Sequence, residues 1–235
     1  AILLSASCIN AKTLVVYYSF TNNVHTIVNN LHTLIDADVI RIEPAEKGID
    51  YADNNYAAGS ALISAIRNNP NDVASYPAID PVEVNLDEYD MVIVAAPLWW
   101  SQMAAPLQTF LFQHGKEMKG KRIGLIVSSA SSGISSVVAD AKRLIPQGIF
   151  LEPNLWIRSS QVSNCHSMIE QWLKDIDYTT ITSSISAVGS DGEEEVIARY
   201  NMGGQRIAAE QQIVGISITQ YRKAGKTYSR KSIVK

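Results

Sequence analysis

Met91-Val92-Ile93-Val94-Ala95-Ala96 is apolar without a break, and it runs straight into Pro97-Leu98-Trp99-Trp100-Ser101-Gln102-Met103. A short, continuous apolar run bounded by a proline reads as a strand buried on both faces, as the strands of parallel sheets are. Arg122-Ile123-Gly124-Leu125-Ile126-Val127 repeats the pattern, Thr13-Leu14-Val15-Val16-Tyr17-Tyr18-Ser19 precedes both, and Asp38-Val39-Ile40-Arg41-Ile42-Glu43 alternates. Between the strands lie helix-period stretches. Residues 23–34 set Val24, Ile27, Val28, Leu31 and Leu34 on one face, and 56–68, 104–114 and 134–144 follow suit. A fifth strand over 150–158 leads to a helix over 166–176. Strict β-α alternation predicts an α/β fold: a doubly wound, five-stranded parallel sheet with helices on both faces.

Past Asp177 the rhythm changes. Segments 179–188, 194–200, 213–219 and 227–234 are short and β-rich. They are separated by Gly189-Ser190-Asp191-Gly192, Gly203-Gly204 and Lys223-Ala224-Gly225-Lys226. These are turn signals, so the expected organisation is a lead segment 1–11, an α/β domain 12–176 and a small all-β module 177–235. The 235 residues carry a net charge of −3, which excludes a basic nucleic-acid binder. Residues 222–235 hold six Lys/Arg and no acid, so an acidic body carries a basic tail. No apolar run reaches the ~18 residues of a spanning helix, and no metal-ligand spacing occurs.

In an open parallel sheet, ligands bind beyond the carboxyl ends of the strands, and three such loops are unusual. Ser19-Phe20-Thr21-Asn22-Asn23-Val24-His25-Thr26 opens directly into a helix. Hydroxyls, amides and free N–H groups at a helix N-terminus suit a phosphate held by neutral donors. Pro97-Leu98-Trp99-Trp100 offers two adjacent indoles, which suit stacking on something flat. Ser128-Ser129-Ala130-Ser131-Ser132-Gly133 is small enough for a ligand to approach the backbone.

Together these loops resemble the flavodoxin family, and within it the long-insert bacterial flavodoxin-like branch, over residues 12–176. Ser19 and Thr21 match the family's Ser/Thr-x-Thr-Gly-x-Thr phosphate loop, whereas Asn22 replaces the glycine and Val24 the last threonine. Asn tolerates positive φ, so the turn can survive. The resemblance implies strand order 2-1-3-4-5 and FMN as cofactor. It places the phosphate at Ser19, Thr21, Asn22, Asn23 and Val24, and the ring against Pro97, Leu98, Trp99 and Trp100. Its polar edge would meet Ser128, Ser129, Ser131, Ser132 and Gly133. The implied function is electron transfer or flavin-dependent reduction, with a redox partner protein or a small quinone-like acceptor. A second reading stays open, in which the fold is kept as a cell-envelope binding module without FMN.

Two terminal features bear on location. Ala1-Ile2-Leu3-Leu4-Ser5-Ala6-Ser7-Cys8 resembles the end of a bacterial lipoprotein signal, which makes Cys8 a candidate lipidation site and possible lipid anchor; a short extra strand is the alternative. Tyr200-Asn201-Met202-Gly203-Gly204-Gln205-Arg206 resembles C-terminal sorting segments of secreted Gram-negative proteins. The expectation is a Gram-negative cell envelope, or the cytoplasm if the N-terminal segment is no signal remnant. Cys165, beside His166, reads as an inert thiol at a helix start.

Overall fold

The computed structural model describes residues 12–179, 195–201, 206–207, 215–223 and 226–234. Cys8, segment 180–188 and the Gly203-Gly204 turn lie outside the described residues. The described residues divide into two units, one α/β and one all-β.

In the α/β unit the elements run β1 (Thr13–Tyr17), α1 (Asn23–His32), β2 (Asp38–Arg41), α2 (Asp53–Asn68) and β3 (Met91–Trp99), then β4 (Gln102–Met103) and α3 (Ala105–His114). They continue through β5 (Arg122–Ser129), α4 (Ser135–Leu144), β6 (Ile149–Phe150), β7 (Leu155–Arg158) and α5 (Cys165–Asp175). The strands line up as β2-β1-β3-β5, with β6 and then β7 pairing in turn along the outer side of β5. All these pairs are parallel, which is the expected order 2-1-3-4-5. The expected fifth strand is thus two short pieces. Pro153 stands between them, and a proline has no N–H for a ladder.

Side chains alternate along each strand, and both faces are apolar. Leu14, Val16, Val92, Val94 and Leu125 point to one side and pack under Ile63 of α2, Phe110 of α3 and Val137 of α4. Val15, Tyr17, Ile93 and Ile126 point to the other and meet Ile27 of α1 and Ile169 and Trp172 of α5. The doubly covered sheet explains why the central strands read as unbroken apolar runs. Edge strand β2 is largely exposed, matching its alternating sequence. Cys165 is buried at the start of α5, and burial pushes its thiol above the ordinary range, as befits an inert cysteine.

The second unit is a four-stranded antiparallel sheet in the order β11-β10-β8-β9, built from β8 (Glu195–Asn201), β9 (Arg206–Ile207), β10 (Gly215–Lys223) and β11 (Lys226–Val234). Its register slips at Gln220/Tyr221. Among the described residues, no helix is long and apolar enough to cross a membrane.

Candidate functional site

The loops leaving β1, β3, β5 and β7 converge on a cleft of about 420 Å³ at the carboxyl edge of the sheet. That lies within the ~300–1,000 Å³ range of small-molecule and cofactor sites. Thr21, Asn23, Pro97, Leu98, Trp99, Trp100, Ser128 and Ser129 all line it, so each of the three expected loops contributes.

At the first loop, Asn22 adopts φ 63°, the left-handed conformation the family's glycine would take there, and α1 begins directly after it. Its carbonyl accepts the Thr26 N–H at 2.9 Å and the Thr26 hydroxyl at 3.0 Å. Ser19 is buried, and its Oγ accepts the His25 N–H at 3.2 Å. Ser19 therefore shapes the loop from beneath. Val24 points into the core under α1, which accounts for an apolar residue where the family has a hydroxyl. The first-turn amides of α1 have no carbonyl one turn back and face the end of the helix that favours anions. Folding also brings in a cation absent from the loop itself: the Arg41 guanidinium donates to the Ser19 carbonyl at 3.2 Å and pairs with Glu43 at 2.7 Å.

The second loop is a hairpin. Trp99 pairs with Gln102, and the two residues between them, Trp100 and Ser101, have φ 50° and 65°. Two-residue hairpins want both central residues at positive φ, usually Asn-Gly; a tryptophan there costs about 1–2 kcal/mol. The base of this turn is braced by side chains. Asp140, buried on α4, accepts the Met103 N–H at 2.9 Å, while Gln108 of α3 donates to the Met103 carbonyl at 2.7 Å. Arg143 ties these two together, reaching Gln108 Oε1 at 2.9 Å, Asp140 Oδ1 at 3.4 Å and the Tyr76 hydroxyl at 3.0 Å. Burial raises the Asp140 carboxyl above its ordinary range despite the opposing pull of the Met103 N–H and Arg143.

The hairpin sends its two indoles to different fates. Trp99 joins an aromatic wall, with ring centroids 4.8 Å from Tyr51, 5.5 Å from Tyr18 and 6.4 Å from Phe20. Gly59 of α2 lies beside it, and a Cβ there would stand at ordinary contact distance, 3.6 Å, from the indole. Burial holds the Tyr18 and Tyr51 phenols above their ordinary range, so this wall is neutral. Trp100 is 47% exposed.

At the third loop, Ser128, Ser129 and Ala130 face the cleft; Ser131, Ser132 and Gly133 do not line it. The Ser129 hydroxyl donates to the Ser132 carbonyl at 2.8 Å and accepts the Trp156 indole N–H at 2.8 Å. Beyond β7, the Ser159 hydroxyl donates to the Ser129 carbonyl at 3.4 Å and accepts from Asn23 Nδ2 at 3.3 Å. One hydroxyl thereby joins the loops after β1, β5 and β7.

Six lining residues were not among those expected: Phe20, Tyr51, Tyr56, Gly59, Ala130 and Ser159. Phe20 and Ala130 lie inside loops that were singled out. The aromatic residues at 51 and 56, set in a polar Asp/Asn-rich connection, were the visible sign of the others on the α2 side. The cleft pairs an aromatic wall with a neutral-donor helix N-terminus, and these residues suit a flat ring carrying a phosphate.

A family model described as Flavodoxin matches residues 12–176. Among solved structures, a presumed flavoprotein from Bacteroides eggerthii is similar at TM-score 0.57 and 24% identity over 72% of this chain and 99% of its own. A flavoprotein from Lactobacillus acidophilus, solved in complex with FMN, follows at TM-score 0.51 and 20% identity over 66% of this chain and 97% of its own. At such identities these structures speak for the fold. No curated protein matches the chain. With the family match spanning most of its length and the sheet order in agreement, the chain belongs to the flavodoxin family.

Proposed function

We propose that the chain binds FMN in this cleft and uses it to pass electrons to a redox partner protein or a small quinone-like acceptor. The observation that carries the reading is the meeting of an aromatic wall and an anion-ready helix N-terminus in one cavity, at Trp99–Tyr51 and at Thr21–Asn23. FMN, when bound, supplies one- and two-electron chemistry. The chain supplies position. Thr21, Asn23 and the backbone amides of Asn23 and Val24 at the start of α1 would hold the phosphate. Trp99, with the residues packed around it, would keep water from one face of the ring. The backbone of Ser128–Ala130 would meet its polar edge.

The visible spectrum of the purified protein, and a titration of flavin-free protein with FMN, test this directly. Thr21→Ala removes one donor to a charged group, a loss of about 1.5–3 kcal/mol, so FMN should bind at least tenfold more weakly. A protein that stays colourless with micromolar FMN overturns the reading. The lipoprotein-like segment ending at Cys8 extends the proposal to the cell envelope. There, Cys8→Ala should move the precursor from the membrane to the soluble fraction.

A further inference from the structure

Arg41 is the last residue of β2, and parallel pairing sets it beside Tyr17, the last residue of β1. From there its side chain reaches the loop that follows β1. The guanidinium divides its planar fork between two acceptors: Nη2 donates to the Ser19 carbonyl at 3.2 Å, and Nε pairs with Glu43 Oε1 at 2.7 Å. Burial pushes the Tyr17 phenol above its ordinary range, and the neighbouring Arg41 charge opposes that rise. Tyr17 Oη in turn lies 2.7 Å from His25 Nδ1, and the His25 N–H donates to Ser19 Oγ at 3.2 Å. Arg41, Tyr17 and His25, drawn from β2, β1 and α1, thus surround Ser19 and grip it at both its carbonyl and its hydroxyl.

That grip bears on the residues after Ser19. Among the described residues, none of the backbone N–H groups from Phe20 to Val24 donates to a protein acceptor. Successive N–H groups of this kind make a concave nest for an anion, and the peptide that enters the nest sets the way it faces. In a planar trans peptide the carbonyl and the N–H point in opposite directions. By holding the Ser19 carbonyl, Arg41 fixes the direction of the Phe20 N–H. The same bond polarises that peptide and strengthens its N–H as a donor. Charge alone is the weaker account. Glu43 neutralises the guanidinium, and the two side chains are 36% and 42% exposed, where water screens them.

We propose that Arg41 is a positioning residue for the phosphate: from outside the loop, it orients the Ser19–Phe20 peptide so that the N–H groups after it face a phosphate monoester. The proposal rests on the FMN reading for the identity of the ligand. It adds to that reading a determinant on a neighbouring strand, at a residue that does not itself line the cleft.

Three variants test it. Arg41→Lys keeps the charge and loses the fork, because one ammonium cannot replace two edges of a guanidinium. Arg41→Gln loses both, and Glu43→Gln leaves the guanidinium its full charge. Each flavin-free protein is titrated with FMN, and bound FMN is followed by its phosphorus resonance and its visible band. Losing one hydrogen bond behind the phosphate should weaken FMN about 3- to 10-fold in both Arg41 variants. The phosphorus resonance should move while the visible band, which reports the surroundings of the ring, stays. Glu43→Gln should leave the affinity as it is in the wild type. Wild-type affinity in Arg41→Lys, tighter FMN in Glu43→Gln, or a moved visible band with an unmoved phosphorus resonance overturns the proposal. Circular dichroism checks folding, and where Arg41→Gln does not fold, Arg41→Lys carries the test. Should the wild type bind no FMN, inorganic phosphate is titrated instead, read by its phosphorus line width. Binding that weakens in Arg41→Lys there upholds the role of Arg41 while the FMN reading fails. Binding unchanged in that variant overturns the role, and no phosphate binding ends both.

Discussion

Replacing Asp140 tests the brace beneath the tryptophan hairpin, and its two replacements should behave differently. The carboxylate is buried and accepts the N–H of Met103, itself fully buried. Asp140→Ala leaves that N–H without a partner, a cost of about 1–3 kcal/mol. In a chain of this size, that lowers the melting temperature by about 2–4 °C per kcal/mol. Asp140→Asn keeps an oxygen for Met103 and drops the charge, and Arg143 retains Gln108 and the Tyr76 hydroxyl. Since burial raises the carboxyl above its ordinary 3.8, the folded chain holds this proton more tightly than the unfolded one. The group therefore stabilises most in acid, and that contribution falls as pH rises through the folded value. Thermal melts of wild type, Asp140→Ala and Asp140→Asn between pH 3 and 7 read this out. Relative to wild type, Asp140→Asn should gain stability from pH 3 to pH 7, while Asp140→Ala should be the less stable variant throughout. An asparagine variant as damaged as the alanine one, or a wild-type minus asparagine difference flat in pH, would refute the reasoning.

Three further outcomes follow from single positions. Gly59→Ala places a methyl at ordinary contact distance, 3.6 Å, from the Trp99 ring within a helix, so it should stabilise by about 0.5–1 kcal/mol in urea unfolding. Gly124→Ala has no such room, since its Cβ would stand 3.1 Å from Trp172 and 3.3 Å from Met91; it should destabilise by about 1–3 kcal/mol in the same assay. Asn22→Gly should leave stability unchanged or raise it, whereas Asn22→Ala should cost about 1 kcal/mol, because only the first accepts φ 63° freely.

The legible parts of the molecule are those set by local pattern. Unbroken apolar runs at 91–96 and 122–127 disclosed a sheet covered on both sides, and the Val24-Ile27-Val28-Leu31 spacing disclosed the buried face of α1. The left-handed turn at Asn22 was readable because few residues tolerate it. The division of labour between Trp99 and Trp100 was not. Neighbouring residues of a strand point to opposite sides, and where the hairpin turns decides which indole packs inward. Arg41, Asp140 and Ser159 escaped notice for a related reason. Each acts on a partner far along the chain, Ser159 on Asn23 across 136 residues, and no local spacing records such a meeting.

The Ser159 hydroxyl has a kinetic corollary. Because it accepts from Asn23 and donates to the Ser129 carbonyl, neither loop can swing away without breaking a bond to the same atom. Ser159→Ala would remove both restraints at once and raise the frequency with which either loop opens. The residue after β7 thus bears on the mobility of two loops to which it does not belong.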